Sequence, residues 1–141
     1  MDIRIPLAAS ADSLPVYKIS PKDTNKFVLL CDGDFYPFMN CVEIFDVGGK
    51  TPPNVHKAAF EHFYVLHGTG IAIVGDKRIP ISAGAHLVVS PGFNHQVENT
   101  GDSRLYVLTT MIPDENFSRL IKSGIPASLD EEDLHILCAK G

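Results

Sequence analysis

The chain has 141 residues, 45% of them hydrophobic and 21% charged, with a formal net charge of -5; this is the size and balance of one globular domain able to bury its own core. The acidic balance and the lack of any lysine and arginine cluster exclude the electrostatic footprint of a nucleic-acid or anionic-membrane binder, and no apolar run nears the roughly 18 residues of a membrane-spanning helix. The first twenty residues carry one arginine and no apolar core fit for a signal peptide, so a cytoplasmic protein with a small-molecule ligand is expected, with no nucleic acid and no membrane as partners.

Residues 1 to 26 hold Pro6, Pro15 and Pro21 among small and polar residues and read as an extended N-terminal arm with at most one short strand. From Phe27 to Ile112 the sequence becomes a series of short apolar runs: "FVLL", "CVEIFDV", "FEHFYVLHG", "GIAIVG", "HLVVS" and "RLYVLTTM". Turn signals such as "DVGGKTPP", "GDKRIP" and "SPGFNH" separate them, which is the pattern of an all-β sandwich or barrel. Residues 113 to 141 change character and form a helical segment of the same domain. "DENFSRLIKSG" predicts a short helix with an Asp start and a Gly end, and "SLDEEDLHILCAK" a second one, with Ser128 and Glu131 as its capping box and Lys140 near its C-terminal end. Cys31, Cys41 and Cys138 are odd in number and lack metal-type spacing, so they read as packed free thiols in a reducing compartment.

The chemistry concentrates in "GGKTPPNVHKAAFEHFYVLHGTG". On a strand Asn54 and His56 share a face, and a bend at "KAAF" would return the next strand with Glu61 facing inward. "GAHLVVSPGFNHQVEN" adds His95 after a Pro-Gly turn, with Asn99 on the same face. Two imidazoles and a carboxylate on one side of an ion, with open positions opposite, form a 2-His-1-carboxylate metal site.

These residues resemble the cupins. The first cupin motif lies along Gly48, Asn54, His56, Glu61 and Gly68, and the second along Gly84, Ser90, Gly92, His95 and Asn99, with fifteen residues between Gly68 and Gly84. Asn54 departs from the family where a histidine is usual, and Ser90 where a proline is usual. The resemblance implies a double-stranded β-helix, or jelly-roll, barrel with short C-terminal helices. It also implies a divalent transition metal (Fe, Mn, Ni or Zn) on His56, Glu61 and His95, with Asn54 adding an amide oxygen or holding a water. The activity it implies is that of a metal-dependent enzyme, most concretely a dioxygenase acting on a small organic molecule. A non-redox isomerase or cyclase and a non-catalytic ligand-binding protein stay open as alternatives. With the arm, the resemblance further implies a homodimer. His62, His67 and His135 read as surface or interface residues; His86 has uncertain parity. Glu43, Tyr36, Phe63, Val65, Ile73, Asn99 and Tyr106 are candidates for the pocket wall.

Overall fold

The computed structural model describes residues 2–139. After a 3-10 turn at Ala11–Ser13, ten strands and two helices follow in the order β1 (Val16–Lys18), β2 (Asn25–Cys31), β3 (Met39–Phe45), β4 (Phe60–His67), β5 (Thr69–Val74), β6 (Lys77–Ser82), β7 (His86–Val89), β8 (His95–Asn99), β9 (Leu105–Ile112), α1 (Phe117–Lys122), β10 (Ile125–Pro126) and α2 (Glu131–Cys138). All pairings are antiparallel and build a seven-stranded sheet, β10-β1-β2-β3-β9-β4-β7, and a three-stranded sheet, β6-β5-β8. The two form the double-stranded β-helix of the expected all-β class.

The six apolar runs all become strands, and further strands arise where sequence patterning is weak. "GDKRIP", read as a break, opens β6, because residues 77–82 pair along the length of β5 despite Pro80. Proline is tolerated there since β6 lies at a sheet edge. The proline-bearing N-terminal segment contributes β1, which joins the large sheet between β2 and β10. Gly68 turns β4 into β5 at φ 97°, and a Cβ at that position would lie 2.7 Å from the Arg104 carbonyl oxygen, so only glycine fits.

The core is divided by the large sheet. Phe45, Phe63, Val65, Ala72, Val97, Leu105 and Val107 pack between the two sheets. Toward one end of the barrel Phe27, Leu29, Met39, Cys41 and Met111 meet Ile121 of α1. On the outer face of β2 and β3, Val28, Val42 and Ile44 are covered by Ile136 and Leu137 of α2. Cover on both faces accounts for the unbroken burial of β3 from Cys41 to Phe45, a stretch that is apolar except for Glu43. β4, whose outer face lacks such a cover, alternates instead between buried and exposed residues.

Both helix starts differ from expectation. α2 is capped by Asp130 and Asp133 rather than Ser128 and Glu131: Asp130 accepts from the Asp133 N–H, and Asp133 accepts from the Asp130 N–H. Asp133 is fully buried and also accepts from Tyr106 Oη at 2.7 Å, Arg104 at 3.0 Å and Lys26 Nζ, so this aspartate both caps the helix and fastens it to the sheet. Lys140 lies outside the described residues. α1 begins after Asn116, and Asp114 acts within the turn by accepting from the N–H and hydroxyl of Ser118.

Candidate metal centre

His56, Glu61 and His95 converge at one end of the barrel interior. Glu61 starts the inward row Glu61, Phe63, Val65 on β4, and His95 opens β8 on the opposing sheet. His56 comes from the connection before β4, which is not a continuous strand: within it Asn54 makes one antiparallel bridge to His95, through backbone hydrogen bonds of 2.9 Å in each direction. Strand parity is therefore not what aims His56. Its ring is placed by Glu115, in the β9–α1 turn, whose carboxylate accepts the backbone N–H groups of Lys57, Ala58 and Ala59 and lies 3.5 Å from His56 Nδ1.

All three side chains are buried, and their ligand atoms lie within 4.8 Å of one another. Glu61 Oε1 sits 2.8 Å from His56 Nε2 and 2.9 Å from His95 Nε2. Each far nitrogen faces an acceptor: His95 Nδ1 donates to the Phe93 carbonyl at 3.0 Å, and His56 Nδ1 lies 3.5 Å from the Glu115 carboxylate. In neutral rings so oriented, both Nε2 lone pairs point at a carboxylate oxygen, so acceptor meets acceptor and a proton or a cation is needed between them. A divalent transition metal fits this donor set, and the contacts to Phe93 and Glu115 are of the kind that hold metal-binding imidazoles in one tautomer.

The electrostatics agree. Burial pushes the Glu61 carboxyl up, but the two imidazoles outweigh it and hold it below the usual value. For His95 burial favours the neutral ring, yet Glu61 and the Phe93 carbonyl raise it on balance. The cluster opens into a cavity of about 230 Å³ whose lining includes Asn54, Phe63, Phe27 and Glu43. Asn54 is itself exposed and stands at the rim.

The family follows from sequence as well as shape: the cupin domain model matches residues 41–111, half of the chain and the stretch that holds all three residues. The chain belongs to the cupin family. An oxalate-binding protein of Thermotoga maritima is 37% identical to this cupin over 69 residues, 45% of this chain and 57% of that protein. An uncharacterised protein of Methanocaldococcus jannaschii is 29% identical over 70 residues, 50% of this chain and 56% of that one. The cupin thus spans little more than half the length of these curated relatives. Among solved structures, a predicted oxalate decarboxylase of Thermotoga maritima superposes with a TM-score of 0.69 at 22% identity, covering 76% of this chain and 99% of that one. An RmlC-like cupin of Shewanella frigidimarina gives 0.67 at 18% identity, covering 77% and 93%. At such identities the superpositions establish the fold.

Other residues singled out in the sequence fall elsewhere. Asn99 clamps backbone: its Nδ2 lies within 3.3 Å of the carbonyls of Phe45, Asp46 and Ser103, and its Oδ1 accepts from the Gly101 N–H. Tyr106 turns to α2 through Asp133, and Val65 packs in the core, so neither lines the cavity. His62 and His86 meet on the outer face of β4 and β7, their rings tilted 51° to each other with centroids 5.3 Å apart and a 3.2 Å contact from Nε2 to Nδ1. His135 is exposed on α2. The sequence reading missed Glu115, which no local motif marks, and Asn25, which fell in the segment read as an arm.

Proposed function

We propose that this cupin is a metal-dependent enzyme of the dioxygenase type, with His56, Glu61 and His95 as ligands of a divalent transition metal and a small organic molecule in the barrel cavity. The observation that carries the reading is the convergence of two Nε2 atoms on Glu61 Oε1, an arrangement of acceptors that asks for a cation. When bound, the metal would offer open positions for redox or Lewis-acid chemistry. The chain does the rest. Phe93 and Glu115 orient the rings, Glu61 supplies the negative charge, and apolar neighbours such as Phe27 and Phe63 keep water from the cavity. Asn54 at the rim would offer an amide oxygen or hold a water.

A short carboxylate suits such a centre, because oxygen donors fit open positions on a hard or borderline metal, and one relative is named for binding oxalate. The non-redox reading, an isomerase or cyclase, draws on a different observation: Glu43 gives the cavity a buried carboxyl that keeps its proton to about pH 8. The three free thiols favour the cytoplasm, and exposed Phe60, Tyr64, Val88 and Ile112 on one sheet face favour a homodimer.

Metal analysis of protein purified without a histidine tag tests the reading. The wild type should carry one equivalent of metal, and His56→Ala and His95→Ala should each lose most of it while keeping the far-ultraviolet circular dichroism of a β-barrel. Iron with oxygen uptake supports the dioxygenase; zinc without uptake moves the assignment to the isomerase or cyclase. Unchanged metal in both variants overturns the site.

A further inference from the structure

The cavity has a second polar wall, on the side of the large sheet away from the metal cluster. Glu43, on β3, is 4% exposed and lines the same cavity as Glu61, from which it is separated by β9. Its Oε2 accepts a 2.7 Å hydrogen bond from Asn25 Nδ2, and its Oε1 has no hydrogen-bond partner among the described residues. Asn25 is held in turn. It is 3% exposed, its Oδ1 accepts from Thr24 Oγ1 at 3.0 Å and its backbone N–H donates to Asp23 Oδ1 at 2.9 Å. Gly49 packs against it so closely that a Cβ there would come within 2.9 Å of the Asn25 amide oxygen.

With Oε2 occupied as an acceptor, a proton on this carboxyl resides on Oε1, the oxygen left without a protein partner. Burial pushes the Glu43 carboxyl up to about 8; the Asn25 hydrogen bond opposes the shift, and the negative charges of Glu61 and Asp23 add to it. The other neighbours are Cys41 on the same strand, whose thiol burial pushes well above its usual value, Val107 beside Glu43 on β9, and His95 across the cavity. At neutral pH Glu43 is therefore an O–H donor facing the cavity beside Phe27 and Phe63, and an acceptor-only partner matches it.

We infer that Glu43, oriented by Asn25, is the recognition group for one carboxylate of a short organic acid whose remaining oxygens face His56, Glu61 and His95. The inference rests on the metal reading above, because a bound cation would offset the negative charge of Glu61 that would otherwise repel the acid, while burial, the largest cause of the Glu43 shift, does not depend on that charge. The cavity, at about 230 Å³, lies below the roughly 300–1,000 Å³ of pockets for drug-sized ligands and restricts the acid to a few carbons.

The test is a calorimetric titration of the zinc-loaded chain with oxalate, comparing wild type, Glu43→Gln and Glu43→Leu. Gln presents an N–H to the cavity and a carbonyl to Asn25, as the protonated acid does, so its affinity should stay within about threefold of wild type at pH 6.5. Leu removes the donor and should weaken binding by at least about tenfold, with zinc stoichiometry unchanged in all three. Between pH 6.5 and 9 the wild type should lose more affinity than Glu43→Gln, since only the wild type loses its donor to ionisation. Oxalate bound equally well by Glu43→Leu, parallel pH profiles, or no oxalate binding by the zinc-loaded wild type overturns the inference alone. A chain that takes up no zinc overturns the metal reading with it.

Discussion

A carboxyl that keeps its proton in the fold but loses it in the unfolded chain ties stability to pH. Glu43 ordinarily ionises near 4.5 and in the fold only near 8, so between these values the folded state holds one proton more than the unfolded state. Stability must then fall as pH rises, by at most about 1.4 kcal/mol per pH unit from this one group, and level off above the folded value. Its contribution is fully present below the unfolded pKa and gone once the pH has passed through about 8. Glu43→Gln removes the ionisation and keeps the bond to Asn25. In urea denaturation of the metal-free protein from pH 5 to 8.5, the variant should gain on wild type steadily as pH increases; a constant difference across that range would show that Glu43 ionises in the fold as it does in water.

At the scale of an element, the connection between β3 and β4 matters most, because it delivers His56 without the support of a strand. Glu115 supplies that support from 54 residues beyond Glu61 in a turn of its own, with φ 54° at Glu115 and 65° at Asn116. Three backbone N–H groups at Lys57, Ala58 and Ala59 hold its carboxyl below the usual range, the bond from Ala58 foremost, and Oε2, which accepts from Lys57, also faces His56 Nδ1. Glu115→Ala should leave the barrel folded, since the carboxylate is partly exposed and outside the core, but should weaken zinc binding by roughly 10- to 100-fold, the usual cost of removing a group that orients a metal-binding histidine. Competition against a chromogenic chelator reads the change. Equal affinity in the variant would mean that the connection holds His56 without Glu115.

For the whole molecule, the large sheet is covered unequally. α2 shields β2 and β3, while the outer face of β4, β7 and β9 exposes Phe60 by 52%, Tyr64 by 40%, Val88 by 56% and Ile112 by 57%. The strand register makes these a single patch, as Phe60 pairs with Ile112, and Tyr64 and His62 pair with His86 and Val88. A patch of that kind is a docking face more often than a free surface. A second copy of the chain suits it, because the two-fold arrangement would set the apolar stripe of one β4 on that of the other. Sedimentation at micromolar concentration should show a dimer, and Tyr64→Glu with Val88→Glu should shift it to monomer with the fold intact. A monomeric wild type would remove the homodimer from the proposed function.

The sequence by itself determined the class of fold and the three residues at the heart of the site. Period-two alternation and turn residues depend only on neighbours along the chain, so six strands were legible from local pattern, and the spacing of His56, Glu61 and His95 carried the likeness to a cupin. Chain-local reasoning failed where a partner came from afar. β6 forms because β5 lies beside it, and β1 because β2 and β10 flank it. The cap of α2 passed to Asp133 because Tyr106, Arg104 and Lys26 gather there. Glu115 reaches His56 and Asn25 reaches Glu43 across the fold, contacts that no spacing along the chain encodes. The proton on Glu43 is of the same kind: its retention reflects how little water surrounds the carboxyl, and burial is a property of the packed barrel rather than of the residue.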